Sequence, residues 1–374
     1  MSYCQGSGSP WILSEMWFQA LSGGKLNMRM LTTPAHASEL SLLGSRDLSH
    51  PSMRDFGNPL NPSIVLFEGR RIVSVRVCSK EQKTTHNFFY INDGGPHLLR
   101  DASGAGPFEY GYEDLRLFVW DGKLHAIAAT STQGTAGSPR TGQTILEIDV
   151  SDMPTVTRVW RQESPRHEKN WMPCVHPEGL RLVYATDPLM VLDVDRALVE
   201  RASGPKSEVV SVRPRVADLP GLDAILRGGS QLVPYKGGWL AVVHQIHGEA
   251  GSLEKAIYVH RFAAFDADLR SVKVSEPFYV KHVGIEFVSG LARGDGCWQL
   301  TVGVADKEAW LCDVSDDIVD AYVSGAVQTP KWPLKPGPVG AVTAARAASA
   351  PPPATHRPSW NPCLGGFPPI DGRW

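Results

Sequence analysis

The sequence is poor in the features that would name a charged partner. Its 37 Lys and Arg against 39 Asp and Glu leave a net charge of −2, and charged residues make up only 20% of the 374. Nonspecific nucleic-acid binding is driven by clustered cations that neutralise phosphates, so so balanced a chain is not expected to bind nucleic acid. The same shortage argues against a polybasic membrane anchor. No run of about 18 uninterrupted apolar residues occurs, so no membrane-spanning helix is expected. The six cysteines, Cys4, Cys78, Cys174, Cys297, Cys312 and Cys363, form no CxxC pair and no His/Cys cluster of zinc spacing, so no metal site is expected. A chain this long can bury a core without cross-links, and the cysteines read as scattered buried thiols. The apolar stretch from Trp11 to Leu21 has no basic residue before it and is broken by Ser14, Glu15 and Gln19. It makes a poor signal peptide and reads as a short helix, with the cytoplasm as the default compartment.

What is abundant is turn chemistry. The 36 Gly, 29 Pro and 11 Trp favour a turn-rich all-β chain over a helical bundle. At ~100–200 residues per domain the length allows two ordinary domains or one large one. An internal repeat decides between them. Five times a polar motif leads into a short strand, a tight Gly turn and a second strand, starting at Asn61, Tyr112, Glu168, Gly228 and Ile285. The turn glycines Gly69, Gly122, Gly179, Gly237 and Gly294 are separated by 53, 57, 58 and 57 residues. Near-alternating β-branched and apolar residues broken by EG, DG or GG are the chemistry of hairpins. Between copies there is room for two more strands, such as AIYVHRFAAFD and VKVSEPFYV after the fourth.

About four strands per unit, repeated radially, predict an all-β, five-bladed β-propeller over residues 55–326. A sandwich would share the short strands but not the period. Residues 1–54 read as an irregular N-terminal extension. Residues 327–374, rich in Pro, Ala and Gly, read as a disordered tail. Helices are expected only at 11–21, near 193–202 and near 316–325.

Equivalent positions of propeller blades converge on one face near the axis. The polar motifs therefore predict a shared pocket holding Asn61, Glu113 with Asp114, Lys169 with Asn170, Ser230 with Gln231, and Glu286. The second-strand ends add Arg76, Asp187, His244 and Asp306. Crowded carboxylates raise one another's pKa, so one of them is expected to stay protonated and serve as a general acid at a glycosidic bond. Trp171 or Tyr112 would stack on an apolar sugar face. Each residue also has a plain structural reading: turn caps for the carboxylates, a surface ion pair for Lys169, a core histidine for His244.

Several of these motifs resemble glycoside hydrolase family 130, five-bladed propellers that are chiefly β-mannoside phosphorylases with some hydrolases. GYEDLRLF and its following WDGKLHAIAAT are similar to the family's GxEDPR segment. EKNWMPCVHPEGLRLVYATDP, RGGSQLVPYKGGWLAVVHQ, the SEP turn and VGVAD resemble its later blades, so the likeness covers roughly residues 55–315. The same set resembles glycosyltransferase family 108 and bacterial propellers associated with glycosyltransferases, which implies a glycosyltransferase as a partner. The resemblance implies Asp114 as proton donor, oriented by Glu113 and Arg116. It implies sugar contacts from Asn61, Ser63, Arg76 and Asp306, and phosphate or acceptor binding by Lys169, His244 and Arg261. No cofactor is implied beyond inorganic phosphate as co-substrate. Leu115 replaces the motif's proline, and RGGSQLVP replaces the segment that supports the phosphate site. The expected function is therefore action on a β-linked glycoside, a mannoside, by phosphorolysis, transfer or hydrolysis. The alternative is a noncatalytic glycan-binding or scaffold propeller.

Overall fold

The computed structural model describes residues 37–79, 84–105, 110–133, 139–161, 168–186, 189–194, 208–209, 212–216, 226–247 and 256–327. The repeat motifs fold as hairpins for the reason their turns suggest. Phe67 pairs with Arg70 across Glu68 and Gly69, whose φ values are 50° and 70°. Trp120 pairs with Lys123 across Asp121 and Gly122, at 49° and 70°. Two consecutive positive φ values match the turn to the twist of the strands it joins. The fifth hairpin departs from expectation. Its left-handed glycine is Gly296 rather than Gly294, within a longer loop between Arg293 and Trp298.

The strands form five sheets arranged as a β-propeller. The first blade is Asn58–Phe67, Arg70–Cys78, Thr85–Ile91 and His97–Leu98. The second is Glu113–Trp120, Lys123–Gln133, Pro139–Asp149 and Thr155–Arg161, with two short parallel additions at its outer edge. The third is Met172–His176, Gly179–Thr186, Leu189–Val194 and Val212–Val216. The last is Glu286–Arg293, Cys297–Val304 and Glu308–Ser315, completed by Gly44–Asp47 from the other end of the chain.

Of the five like blades expected, only these four sheets form them among the described residues. The fourth repeat departs from the pattern: its inner strand is broken into Arg227–Gly228 and Val233–Tyr235, both pairing with Gly238–His247. Its outer edge is likewise split, into Val272–Val274 and Phe278–Tyr279, beyond Ile257–Phe265. The GSQL segment between the two inner pieces carries no alternating β-branched residues to sustain a strand.

Apolar residues from neighbouring sheets meet in five clusters. Phe89 and Leu117 lie in the cluster between the first and second sheets, Trp160 and Leu182 in the next, Val183 and Ala241 in the third. Phe262 and Leu300 share the fourth, and Val75 and Leu311 join the last sheet back to the first. The inner strands of the first, second and last blades also touch one another, so the centre is packed backbone against backbone.

The helix expected near 316–325 is present as Asp316–Ser324, with Ser315 as its N-cap and left-handed Gly325 ending it. The expected helix at 11–21, the tail from 328 onward, and residues 195–202 lie outside the described residues. Cys78 is disulfide-bonded, against the expectation of free thiols, whereas Cys174, Cys297 and Cys312 are free. Among the described residues no helix is long and apolar enough to cross a membrane.

Candidate active site

Three successive blades bring a left-handed Asx residue to the central face. Asn61 has φ 41°, Asp114 52° and Asn170 65°. In the first two blades the residue sits in a bulge, where the register of the inner strand shifts between Leu60 and Ser63 and between Glu113 and Arg116. Asn and Asp are the side chains that best tolerate this region, and a bulge re-aims a side chain out of the pleat.

The re-aimed groups meet. Asn61 Nδ2 donates to Asp114 Oδ1 at 2.8 Å, and Arg76 Nη1 donates to the same oxygen at 2.6 Å. Arg76 Nη2 lies 3.6 Å from Glu113 Oε1, and Lys169 Nζ donates to Glu113 Oε2 at 3.2 Å. Both contacts to Asp114 fall on Oδ1. Among the described residues Oδ2 takes part in no hydrogen bond, and the side chain retains 7% exposure. Arg116 anchors the group from below: Nε donates to Gly229 O at 2.5 Å, Nη1 to Asp114 O at 3.3 Å and Nη2 to Asn170 Oδ1 at 3.0 Å. It thereby ties the second, third and fourth sheets together, and among the described residues it has no direct carboxylate partner.

The electrostatics overturn the expectation of a crowded, protonated acid. Burial pushes the Asp114 carboxyl up, but Arg76, Lys169, the Asn61 hydrogen bond and Arg116 outweigh it and bring it down to about 2. Arg76 lies against both carboxylates and Lys169 reaches Glu113, so the cluster pairs its acids with cations rather than with one another. Burial lowers Arg116 to about 10, with Asp114 opposing the shift. Arg76 remains a cation: burial acts against its charge, but Asp114 and Glu113 more than compensate.

Other expected site residues do structural work. Ser63 Oγ accepts from Leu117 N at 3.0 Å, stitching the first blade to the second. Gln231 Nε2 donates to Ile64 O and Leu291 O at 2.6 and 2.7 Å, bracing the centre from the fourth sheet. Ser230 Oγ accepts from Val242 N within its own sheet. Glu286 is fully buried and occupied by one loop: it accepts from Val280, Lys281 and His282 N at 2.7–2.9 Å, and His260 Nε2 lies 3.3 Å away. Burial raises its carboxyl, but His260 and the backbone donors hold it below the ordinary range. His244 stacks on Tyr258 with ring centroids 5.6 Å apart and meets Phe287 edge-on, and burial, with His260 and Arg227, keeps it neutral.

Trp171 and Tyr112 are core residues rather than sugar platforms. Trp171 is packed among apolar side chains of the second and third blades, and the Tyr112 hydroxyl donates to Asp101. Arg261 Nη1 donates to Ser275 O, toward the outer edge of its sheet. Asp306, also left-handed, is partly exposed and close enough to favour the charge of Arg76 and to oppose ionisation of Tyr258. Asp187 lies outside the described residues. Tyr258 was not legible as a site residue in AIYVHRF; burial, Asp306 and Asp114 push its hydroxyl to about 12, with Arg227 opposing. Among the described residues no group of three or more His, Cys, Asp or Glu is placed to hold a metal ion.

No protein-family model and no curated protein matches the sequence. Solved structures similar to this chain include the mannose phosphorylase MPT-4 from Leishmania mexicana in complex with phosphate, at 13% identity and a TM-score of 0.47, covering 85% of this chain and 99% of that one. The β-1,2-mannobiose phosphorylase from Listeria innocua is similar at 13% identity and 0.47, covering 80% and 98%. A structure reported for the GH130 family of mannoside phosphorylases, with hydrolases that target β-1,2 mannosidic linkages in Candida mannan, is similar at 13% and 0.46, covering 70% and 85%. The family resembled by the sequence motifs thus recurs among the similar structures.

Proposed function

We propose that this chain is a carbohydrate-active enzyme acting on a β-linked glycoside, a mannoside, with Asp114 as the group through which the proton passes. The observation that carries the reading is the asymmetry of the Asp114 carboxylate: Oδ1 is held by Asn61 and Arg76, and Oδ2 is left unengaged among the described residues. A carboxylate fixed by one oxygen and offering the other is oriented for a proton transfer to a ligand. The surrounding cations mean that Asp114 meets its substrate ionised. It first accepts a hydrogen bond from a sugar hydroxyl; in the bound complex it takes up the proton released by the attacking phosphate, water or hydroxyl and passes it to the leaving oxygen, which regenerates the carboxylate. Lys169, the most exposed cation of the cluster, is suited to an anionic co-substrate such as inorganic phosphate. The attacking group is phosphate, water or a sugar hydroxyl.

A second reading is favoured by the same low pKa: a propeller that binds glycans through Asp114 as an acceptor and turns nothing over. Incubation of β-mannobioses with and without phosphate separates the two. Mannose 1-phosphate formed only with phosphate identifies phosphorolysis, and free mannose alone identifies hydrolysis. Elongated products identify transfer. Saturable binding without any product sinks the enzyme reading.

A further inference from the structure

The conformation of Asn61 is unusual for a reason the sequence makes plain. It precedes Pro62, and a residue before proline is pushed toward extended backbone by the ring. Yet Asn61 has φ 41°. Such a position persists only when its surroundings over-determine it.

The surroundings come from the last blade. The carbonyl of Pro62 accepts from Thr301 Oγ1 at 2.6 Å and from Ser289 Oγ at 2.7 Å. Both hydroxyls belong to fully buried residues on adjacent strands of that blade. Close by, Gly303 lets its strand lie directly on Asn61: a Cβ there would stand 2.5 Å from Asn61 Oδ1 and 2.7 Å from Asn61 N. Gly290 allows the same approach one step along, where a Cβ would meet Ile64 N at 2.7 Å.

We propose that Ser289 and Thr301, with the bare backbone of Gly303, are positioning residues: they set the bulge of the first blade and so aim the Asn61 amide at Asp114. They act from a different blade and touch neither carboxylate. The inference rests on Asp114 as the proton-carrying group, but the clamp itself has a readout that needs no turnover.

The test uses the full chain labelled with 15N-asparagine, the Asn61 side-chain amide being assigned by its loss in Asn61→Ser. Thr301→Val removes one donor at nearly constant shape and is expected to shift that amide signal and speed its exchange with solvent. It is expected to lower kcat about 10–100-fold with KM nearly unchanged, the scale expected for a group misplaced by about 1 Å. Losing the Asn61 donor raises the Asp114 carboxyl, so the acid limb of the pH–rate profile moves upward. Thr301→Ser restores both amide signal and rate. Should Thr301→Val not fold, Ser289→Ala removes the other donor and leaves one in place, with the same expected shifts. An Asn61 amide and pH profile unmoved in the folded variant, with only a lower Tm, overturn the proposal. Absence of turnover in the wild type overturns the Asp114 reading instead, while the amide signal still decides the clamp.

Discussion

Asp114 and Glu286 enter the centre of the propeller from comparable places, at the start of an inner strand, and both are carboxylates buried from solvent and held below their ordinary pKa. Their oxygens are occupied differently. Glu286 spends both on three backbone N–H groups of one short loop and on His260. Asp114 spends one on two side chains from another blade and keeps the other. A low pKa and deep burial therefore do not set the carboxylate proposed to work apart from the structural one. On that proposed reading, the unspent lone pairs do.

Substitution separates them most sharply. Asp114→Asn is expected to lower kcat by about 10²–10⁴-fold while sugar binding, followed by calorimetry, persists. Full activity in that variant would remove Asp114 from the mechanism. Glu286→Gln is expected to leave turnover per folded molecule intact and to cost about 1–3 kcal/mol in urea unfolding, because a neutral amide serves the three backbone donors less well. A large loss of turnover without loss of stability there would collapse the distinction.

A smaller effect lies in pH. The folded-state pKa of Asp114 is depressed, so the stability its charge contributes is full above the unfolded value of ~4 and is lost as pH falls toward about 2. The stability difference between wild type and Asp114→Asn should stay constant from pH 7 to about 5 and narrow below ~4. A difference that grows on acidification contradicts the ion-pair origin of the shift. The smallest change is expected from Lys169→Met. Lys169 is partly exposed and reaches Asp114 only through space, so its loss should raise the Asp114 carboxyl modestly and leave the Glu286 loop unchanged. Amide exchange of Val280 and His282 checks the second half of that statement.

Much of the propeller was legible because its signals are local. EG and DG turns between alternating strands sufficed for the hairpins, whereas the bulges at Asn61 and Asp114 carried no signal that was read. Asn61, Arg76, Glu113, Asp114, Lys169 and Asn170, grouped by repeat phase and strand ends, fall within one linked set of contacts. Glu286 was misread because its partners are main-chain N–H groups, which carry no side-chain signature. Ser63 and Gln231 were misread because a polar residue facing the axis can bridge two strands as readily as a ligand. Thr301 and Ser289 were invisible because their partner is a carbonyl on another blade. The broken inner strand of the fourth sheet was hidden by a hairpin that otherwise fits the repeat.

The strand Gly44–Asp47 completes the last blade by pairing with Glu308–Ser315, and Arg46 and Arg71 share Asp93 across the seam with the first blade. Such a clasp has a kinetic meaning. Gly44 cannot find Asp313 until nearly the whole chain has been made and folded between them, and contacts of such long sequence separation form slowly. Until then Glu308–Ser315 is an open edge, able to pair with the wrong strand or with a second molecule. A chain whose other blades join first would pass through an open fan before it is a ring, and the lifetime of that fan would set its exposure to aggregation.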